Sequence, residues 1–176
     1  DPRLVQMTIT LFDPDFWASP GFNWRQPASS QPQTLAERLV SSLLLSGEQP
    51  GLRRSLRMRL LAAQVTARYG RVQVMEWYLN SSGYGHYAYG ADNATRLYLG
   101  KSAGSLSIAE AAFLSALSQT PALNPFDSPL SARDRTRQVL EQLVTGGTIS
   151  TEDYAKAAAE ELIFQPAPPE PEAFSP

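Results

Sequence analysis

Leucine recurs at every fourth position through the middle of this chain, at Leu35, Leu39 and Leu43 and again at Leu52, Leu56 and Leu60. Residues four apart stack on one side of an α-helix, so this spacing confines the region to amphipathic helices. The first spans about 33–45 and is stopped by Gly47 and Pro50-Gly51. The second runs from Leu52 through Leu61 and Val65 to Gly70, and a third from Val72 to Asn80. Further along, Ser107 with Glu110 three residues later forms a capping box that opens an alanine-rich helix, which ends before Pro121. Ser128-Pro129 starts another that reaches Val144 and closes at Gly146-Gly147. The last begins at Ser150 and fades near Phe164. Residues 1–32 place aromatics among Pro, Ser, Gly and Gln without periodicity and read as a turn-rich entry segment. Residues 81–90 are too rich in glycine for helix and read as a structured loop. No stretch alternates with the period of a strand, so the expected fold class is all-α.

The length of 176 residues suits one compact domain, placed at 1–165, followed by a stiff proline-rich linker or tail at 166–176. An apolar content of 43% removes wholesale disorder. A net charge of −2 argues against a nucleic-acid partner, which calls for a basic excess. The absence of cysteine excludes disulfides and thiolate metal sites. His86 is the single histidine, so neither a histidine-based triad nor a multi-histidine metal centre is available, and it reads as a packing ring. No metal and no cofactor is expected. No apolar run reaches the roughly 18 residues that span a bilayer. Since the first residue is Asp1 and the last eleven are rich in proline, the chain reads as a piece of a longer protein.

Two sets of residues bear on chemistry. Arg53, Arg54, Arg57 and Arg59 crowd into seven residues of one helix, and Arg53 and Arg57 share a face. Guanidinium forks bind phosphate through paired donors, so the cluster suits a diphosphate or anionic headgroups; a solvated helix face explains it equally well. Glycosyl transfer and hydrolysis typically use two carboxyl groups in one cleft. Asp13, Asp15, Glu37, Glu76, Asp92 and Glu110 are the candidates by position, and no pair is evident among them.

The stretch Glu76-Trp77-Tyr78-Leu79-Asn80, continuing through Gly83-Tyr84-Gly85-His86-Tyr87-Ala88-Tyr89-Gly90 to Tyr98-Leu99-Gly100-Lys101-Ser102, resembles the family 51 glycosyltransferases. These are the transglycosylase domains of class A penicillin-binding proteins and of monofunctional cell-wall polymerases. Glu110-Ala111-Ala112, Leu114, Leu117, Pro121 and Asn124-Pro125 extend the resemblance, which covers residues of about 10 to 164. It implies a lysozyme-like helical domain on the outer face of the cytoplasmic membrane, held there by a segment absent from this chain. The family polymerises lipid II into glycan strands with two glutamates, one in E-D-x-x-F and one in R-K-x-x-E.

At those positions this chain departs from the pattern. The first motif falls on Phe12-Asp13-Pro14-Asp15-Phe16, where Phe12 occupies the place of the base. The second motif, G-G-S-T-x-T-Q-Q-L-x-K-N, falls on residues 31–42; Thr34 and Leu39 persist, and Ser41 replaces the lysine. The third falls on Arg54-Ser55-Leu56-Arg57-Met58, with Met58 at the second glutamate. Neither a phenyl ring nor a thioether can exchange protons, and removing such a group lowers rates by about 10²–10⁴. The resemblance therefore implies no catalytic residue here, and leaves Asp13, Thr34, Arg54 and Arg57 as substrate-binding candidates. The expected function is a silent family member retained for binding lipid II, glycan strands or a cell-wall protein, with the membrane surface reached through the parent protein. Its competitors are an active polymerase with acids relocated to Asp13, Asp15 or Glu37, a hydrolase using Glu37 or Glu76, and a structural spacer.

Overall fold

The computed structural model describes residues 1–27 and 31–168. Among these, the elements are α1 (Pro2–Phe12), α2 (Leu35–Leu43), α3 (Leu52–Ser81), α4 (Ala91–Leu99), α5 (Ile108–Gln119), a 3₁₀ turn (Pro121–Leu123), α6 (Pro129–Thr145) and α7 (Thr151–Ala159). There is no strand among the described residues, only an isolated bridge between Gly83 and Tyr89. The all-α expectation holds.

Two apolar clusters build the domain. The larger surrounds α5, whose Ala109, Ala111, Ala112, Phe113, Leu114, Ala116 and Leu117 are all buried. Four alanines on one helix let α1 and α6 approach its backbone closely, and α6 contributes Val139, Leu140 and Leu143. The smaller cluster lies where α2 packs along α3, joining Leu35, Leu39, Val40, Met58, Ala62, Val74 and Tyr78 with Phe16 from the entry segment. Helix α1 serves both, sending Leu4 and Met7 into the first and Ile9 into the second.

That helix corrects the reading of residues 1–32 as turns throughout. Asp1 accepts from the Arg3 amide at 2.8 Å, and Pro2 occupies the first turn, where a missing N–H is harmless. The apolar sequence Leu4, Met7, Leu11 has helical spacing, but the β-branched run Thr8-Ile9-Thr10 and the turn residues after it obscure the signal. Helix α4 is likewise unmarked in the sequence, because Gly90 at its start offers no side-chain cap. The last helix stops at Ala159 rather than near Phe164. Residues beyond it have no regular structure and are pinned by the Gln165 amide donating to the Tyr98 carbonyl at 2.8 Å and by Phe164 against Phe113. Pro166 and Pro168 follow, exposed, while the remainder of the proline-rich tail lies outside the described residues. The break expected at Gly70 is present inside α3, where φ is 79° and ψ 163°.

One result of the packing is not what leucine spacing usually signals. Leu52, Leu56 and Leu60 mark the helix but face solvent, at 71, 55 and 60% exposure. The inner face of that half of α3 is Ser55, Met58, Ala62 and Thr66.

Candidate functional site

Phe12 ends α1 half-buried, with the Arg38 guanidinium 4.8 Å above its ring and the edge of Tyr78 at 6.1 Å. Met58 is 1% exposed and belongs to the α2–α3 cluster together with Phe16 and Leu35. Both positions that the resemblance assigns to glutamates are thus occupied by side chains that pack, and Met58 is almost wholly buried.

The next residue, Asp13, is only 4% exposed. Its Oδ2 accepts from the Leu35 amide at 3.1 Å, tying the end of α1 to the first turn of α2. Burial pushes its carboxyl up to about 6, against the pull of the Leu35 amide; Asp15 and Glu37 add to the rise and Arg38 opposes it. Thr34 caps α2: its Oγ accepts from the Glu37 amide at 3.1 Å and its hydroxyl donates to the Gly21 carbonyl at 2.7 Å. Glu37 completes a capping box, its Oε2 accepting from the amides of Gln33 at 2.6 Å and Thr34 at 3.3 Å. The other oxygen lies 3.6 Å from Arg59 Nε, and the whole residue is 1% exposed. As placed, Glu37 holds backbone and has no opening to a substrate.

A cavity of about 220 Å³ opens beside this junction, lined among others by Asp13, Asp15, Trp24, Arg25, Gln33 and Thr34. Asp15 is exposed and pairs with Arg25 at 3.5 Å, and the Arg25 guanidinium lies 5.3 Å from the Trp24 ring. Arg59 holds the loop that follows Arg25 by donating to the carbonyls of Gln26 at 2.8 Å and Pro27 at 2.7 Å, with the Phe22 ring 5.9 Å from its guanidinium. Arg54 stands elsewhere: it donates to Ser41 Oγ at 2.7 Å and lines a shallow hollow with Gln31, Pro32 and the turn at 46–50. Arg57 pairs with Glu48 on the same turn. Of the four binding candidates, the structure joins Asp13 with Thr34 and sets Arg54 and Arg57 apart from them. Trp24, Arg25 and Gln33 enter the site unannounced; the aromatics Phe22 and Trp24 in the entry segment are a signal that could have pointed there.

The other carboxylates are accounted for locally. Glu76 is exposed and accepts from Gln73, and Glu110 closes its capping box and pairs with Lys101 at 2.6 Å. Asp92 takes the Ala103 amide, Arg96 and Ser102, which together hold its carboxyl below the usual range. His86 packs edge-on against Phe126 at 5.1 Å. Among the described residues no three His, Cys, Asp or Glu side chains converge as a metal site would require.

The position of Asp13 gives a pH dependence. Its carboxyl rises from 3.8 in the unfolded reference to about 6 in the fold, so the folded chain holds that proton more tightly. This group's contribution to stability is therefore present below pH 4 and lost as pH rises through about 6, a swing of about 2–3 kcal/mol. Asp13→Asn keeps an acceptor for the Leu35 amide and removes the titration. Urea midpoints of the two proteins at pH 4 and pH 7.5 should show the variant gaining on the native chain only at the higher pH; a constant difference would refute the assignment.

The sequence model of a family described as transglycosylase matches residues 1–144. Penicillin-binding protein 1A of Aquifex aeolicus (strain VF5) is 36% identical over 133 residues, covering 75% of this chain and 18% of that protein. Penicillin-binding protein 2D of Bacillus subtilis (strain 168) is 26% identical over 179 residues, covering 94% of this chain and 26% of that protein. A crystal structure of penicillin-binding protein 1A from Haemophilus influenzae aligns at a TM-score of 0.49 and 23% identity, covering 76% of this chain and 17% of that one. The chain spans about a quarter or less of the length of each of these relatives.

Proposed function

Since this chain belongs to the transglycosylase family, we propose that it is a catalytically silent member of it, retained to bind glycan or lipid-linked precursor on the outer side of the cytoplasmic membrane. Its domain is taken to end near residue 165, where the segment after α7 makes its bond to the Tyr98 carbonyl. The observation that carries the reading is the burial of Met58 in apolar packing, where the family sets a proton-handling acid. Phe12 at the other such position stacks under Arg38. What remains at the junction is a sugar-sized hollow with an indole face, carboxylates, a guanidinium and an amide. Those groups can stack on a pyranose and hydrogen-bond its hydroxyls, and they require no chemistry.

One observation favours a second reading. Asp13 and Asp15 both line the cavity, and a carboxyl titrating near 6 beside a second carboxylate is how glycosidic acid–base pairs are poised. On that reading Asp13 has taken over the role of the base, one residue along the chain. Incubation with fluorescent lipid II separates the two. The silent domain yields no polymer above background and binds the precursor or glycan fragments. Chain formation that Asp13→Asn abolishes would establish the relocated acid instead, and a failure to bind lipid II or glycan would leave only a structural spacer.

A further inference from the structure

In the connection between α3 and α4, the consecutive residues Gly85, His86 and Tyr87 all have positive φ, at 81°, 46° and 59°. Glycine adopts that region freely, whereas a histidine and a tyrosine do so against a clash of Cβ with the backbone. The Ala88 amide donates to the Gly85 carbonyl at 2.9 Å and closes a tight turn whose two central residues are both left-handed. Asparagine followed by glycine is the pair that such a turn favours. The surroundings hold the less favourable pair in place. Tyr84 and Ala88, flanking the turn, are buried in the larger apolar cluster, and the Tyr98 hydroxyl donates to the Tyr84 carbonyl at 3.0 Å. A Cβ on Gly85 would collide with the Pro121 carbonyl oxygen, so the turn is pressed against the segment that follows α5. Backbone strain maintained by a rigid frame points to a function for the side chains it carries.

What the frame presents is aromatic. Tyr87 is 93% exposed and Tyr89 65%, and the exposed His86 ring stands edge-on to Tyr87 and to the half-buried Phe126. A ring so far from the core adds nothing to packing, so the fold alone does not account for Tyr87. Two features identify its ligand. No Asp, Glu, Lys or Arg lies between Glu76 and Asp92, and Asp127, next to Phe126, is engaged by Asn124 at 2.6 Å, so the patch offers an ion no free charge. The patch is also small. Two tyrosines present roughly 300–400 Å² between them, at most half of the roughly 800 Å² that a partner protein covers. A neutral sugar chain needs neither charge nor breadth. The axial C–H groups of a β-linked pyranose are weakly positive and stack on the negative face of an aromatic ring, while phenol and imidazole edges meet its hydroxyls.

We propose that the turn at residues 85–89 is a second, accessory glycan contact, at which Tyr87 stacks on a pyranose of a neutral β-1,4-linked chain with His86 and Tyr89 beside it. None of these three residues lines the cavity next to Asp13. The proposal rests on the reading of the domain as a glycan binder and adds to it a site for sugar already in polymer form.

The 176-residue chain is titrated by calorimetry with chitohexaose, a neutral β-1,4-linked hexasaccharide. Saturable binding that added salt leaves unchanged is the expected result. Tyr87→Phe keeps the affinity within about twofold, while Tyr87→Asn, which suits the left-handed backbone but lacks the ring, lowers it by roughly tenfold. The double replacement His86→Asn with Tyr87→Gly gives the sharper readout. It relieves the strained turn, so the melting temperature rises by about 2–6 °C while the saccharide is lost. No binding of chitohexaose by the native chain overturns the proposal, as does binding that persists in Tyr87→Asn; binding lost instead in Trp24→Ala assigns the saccharide to the cavity. Lipid II binding, measured on the same proteins, decides separately whether the reading of the cavity stands. A concentration-dependent dimer that Tyr87→Asn abolishes, without saccharide binding, also overturns the proposal and assigns the tyrosines to a second copy of the chain.

Discussion

Met58→Glu is expected to destabilise the domain by about 3–5 kcal/mol at neutral pH and to restore no polymerisation. At 1% exposure the new carboxylate would sit among Leu35, Leu39 and Ala62, without water and with no hydrogen-bond donor supplied by those side chains. Such a group avoids ionisation by raising its own pKa, so the deficit should shrink as pH falls toward the range where it holds a proton. Met58→Leu, of similar volume and no charge, should cost about 1 kcal/mol or less. Phe12→Glu is the informative contrast. Its position is half-buried and lies beside the Arg38 guanidinium, so an acid there has both water and a counter-charge and should be tolerated within about 1 kcal/mol. Urea unfolding of the four proteins at pH 5 and pH 7.5 measures each term. A Met58→Glu protein as stable as the native chain would show that the site opens to solvent and would overturn the silent domain.

Gly21→Ala should be nearly as damaging, about 3 kcal/mol or more, which for a domain of this size is a fall of about 10 °C in melting temperature. Gly21 has φ of +98°, and a Cβ there would stand 2.3 Å from Thr66 Oγ1 and 2.6 Å from the Ala62 carbonyl oxygen. The carbonyl is part of α3 and cannot step aside without moving the helix. The residue cannot retreat either, since its own carbonyl accepts the Thr34 hydroxyl that starts α2. Gly70 isolates the conformational part of the effect: its φ is +79° but nothing lies within 4 Å of a Cβ, so Gly70→Ala should cost about 1–3 kcal/mol. Adding Thr66→Ala to Gly21→Ala removes one of the two collisions and should recover part of the loss, because Thr66 Oγ1 has no partner to forfeit. Scanning calorimetry of the single and double variants tests this; equal melting temperatures for Gly21→Ala and Gly70→Ala would show that the close approach is absent.

These positions also show how far the sequence speaks. Local signals are legible wherever two neighbouring residues satisfy each other. Ser107 and Glu110 predict the start of α5, and the same pattern at Thr34 and Glu37 starts α2, where the spacing could have removed Glu37 from the catalytic candidates in advance. The motif from Glu76 to Ser102 carries the family. Orientation is what periodicity leaves open: spacing places Leu52, Leu56 and Leu60 on one face, and only the packing of α2 against Met58 and Ala62 decides that the face looks outward. The cavity is equally a tertiary product. Trp24 and Arg25 are brought beside Asp13 by a loop held through Arg59, more than thirty residues further along the chain.

Helix α1 has an effect that reaches past its eleven residues. By inserting Met7 into one apolar cluster and Ile9 into the other, it shares a single rigid rod between the two masses. Neither mass can melt without pulling that rod away from its counterpart, so loss of order on one side is felt on the other as exposed hydrocarbon. The hairpin and the alanine-rich helix are consequently expected to exchange their slowest amides in one concerted opening, and a chain clipped between α1 and α2 to hold its two pieces together.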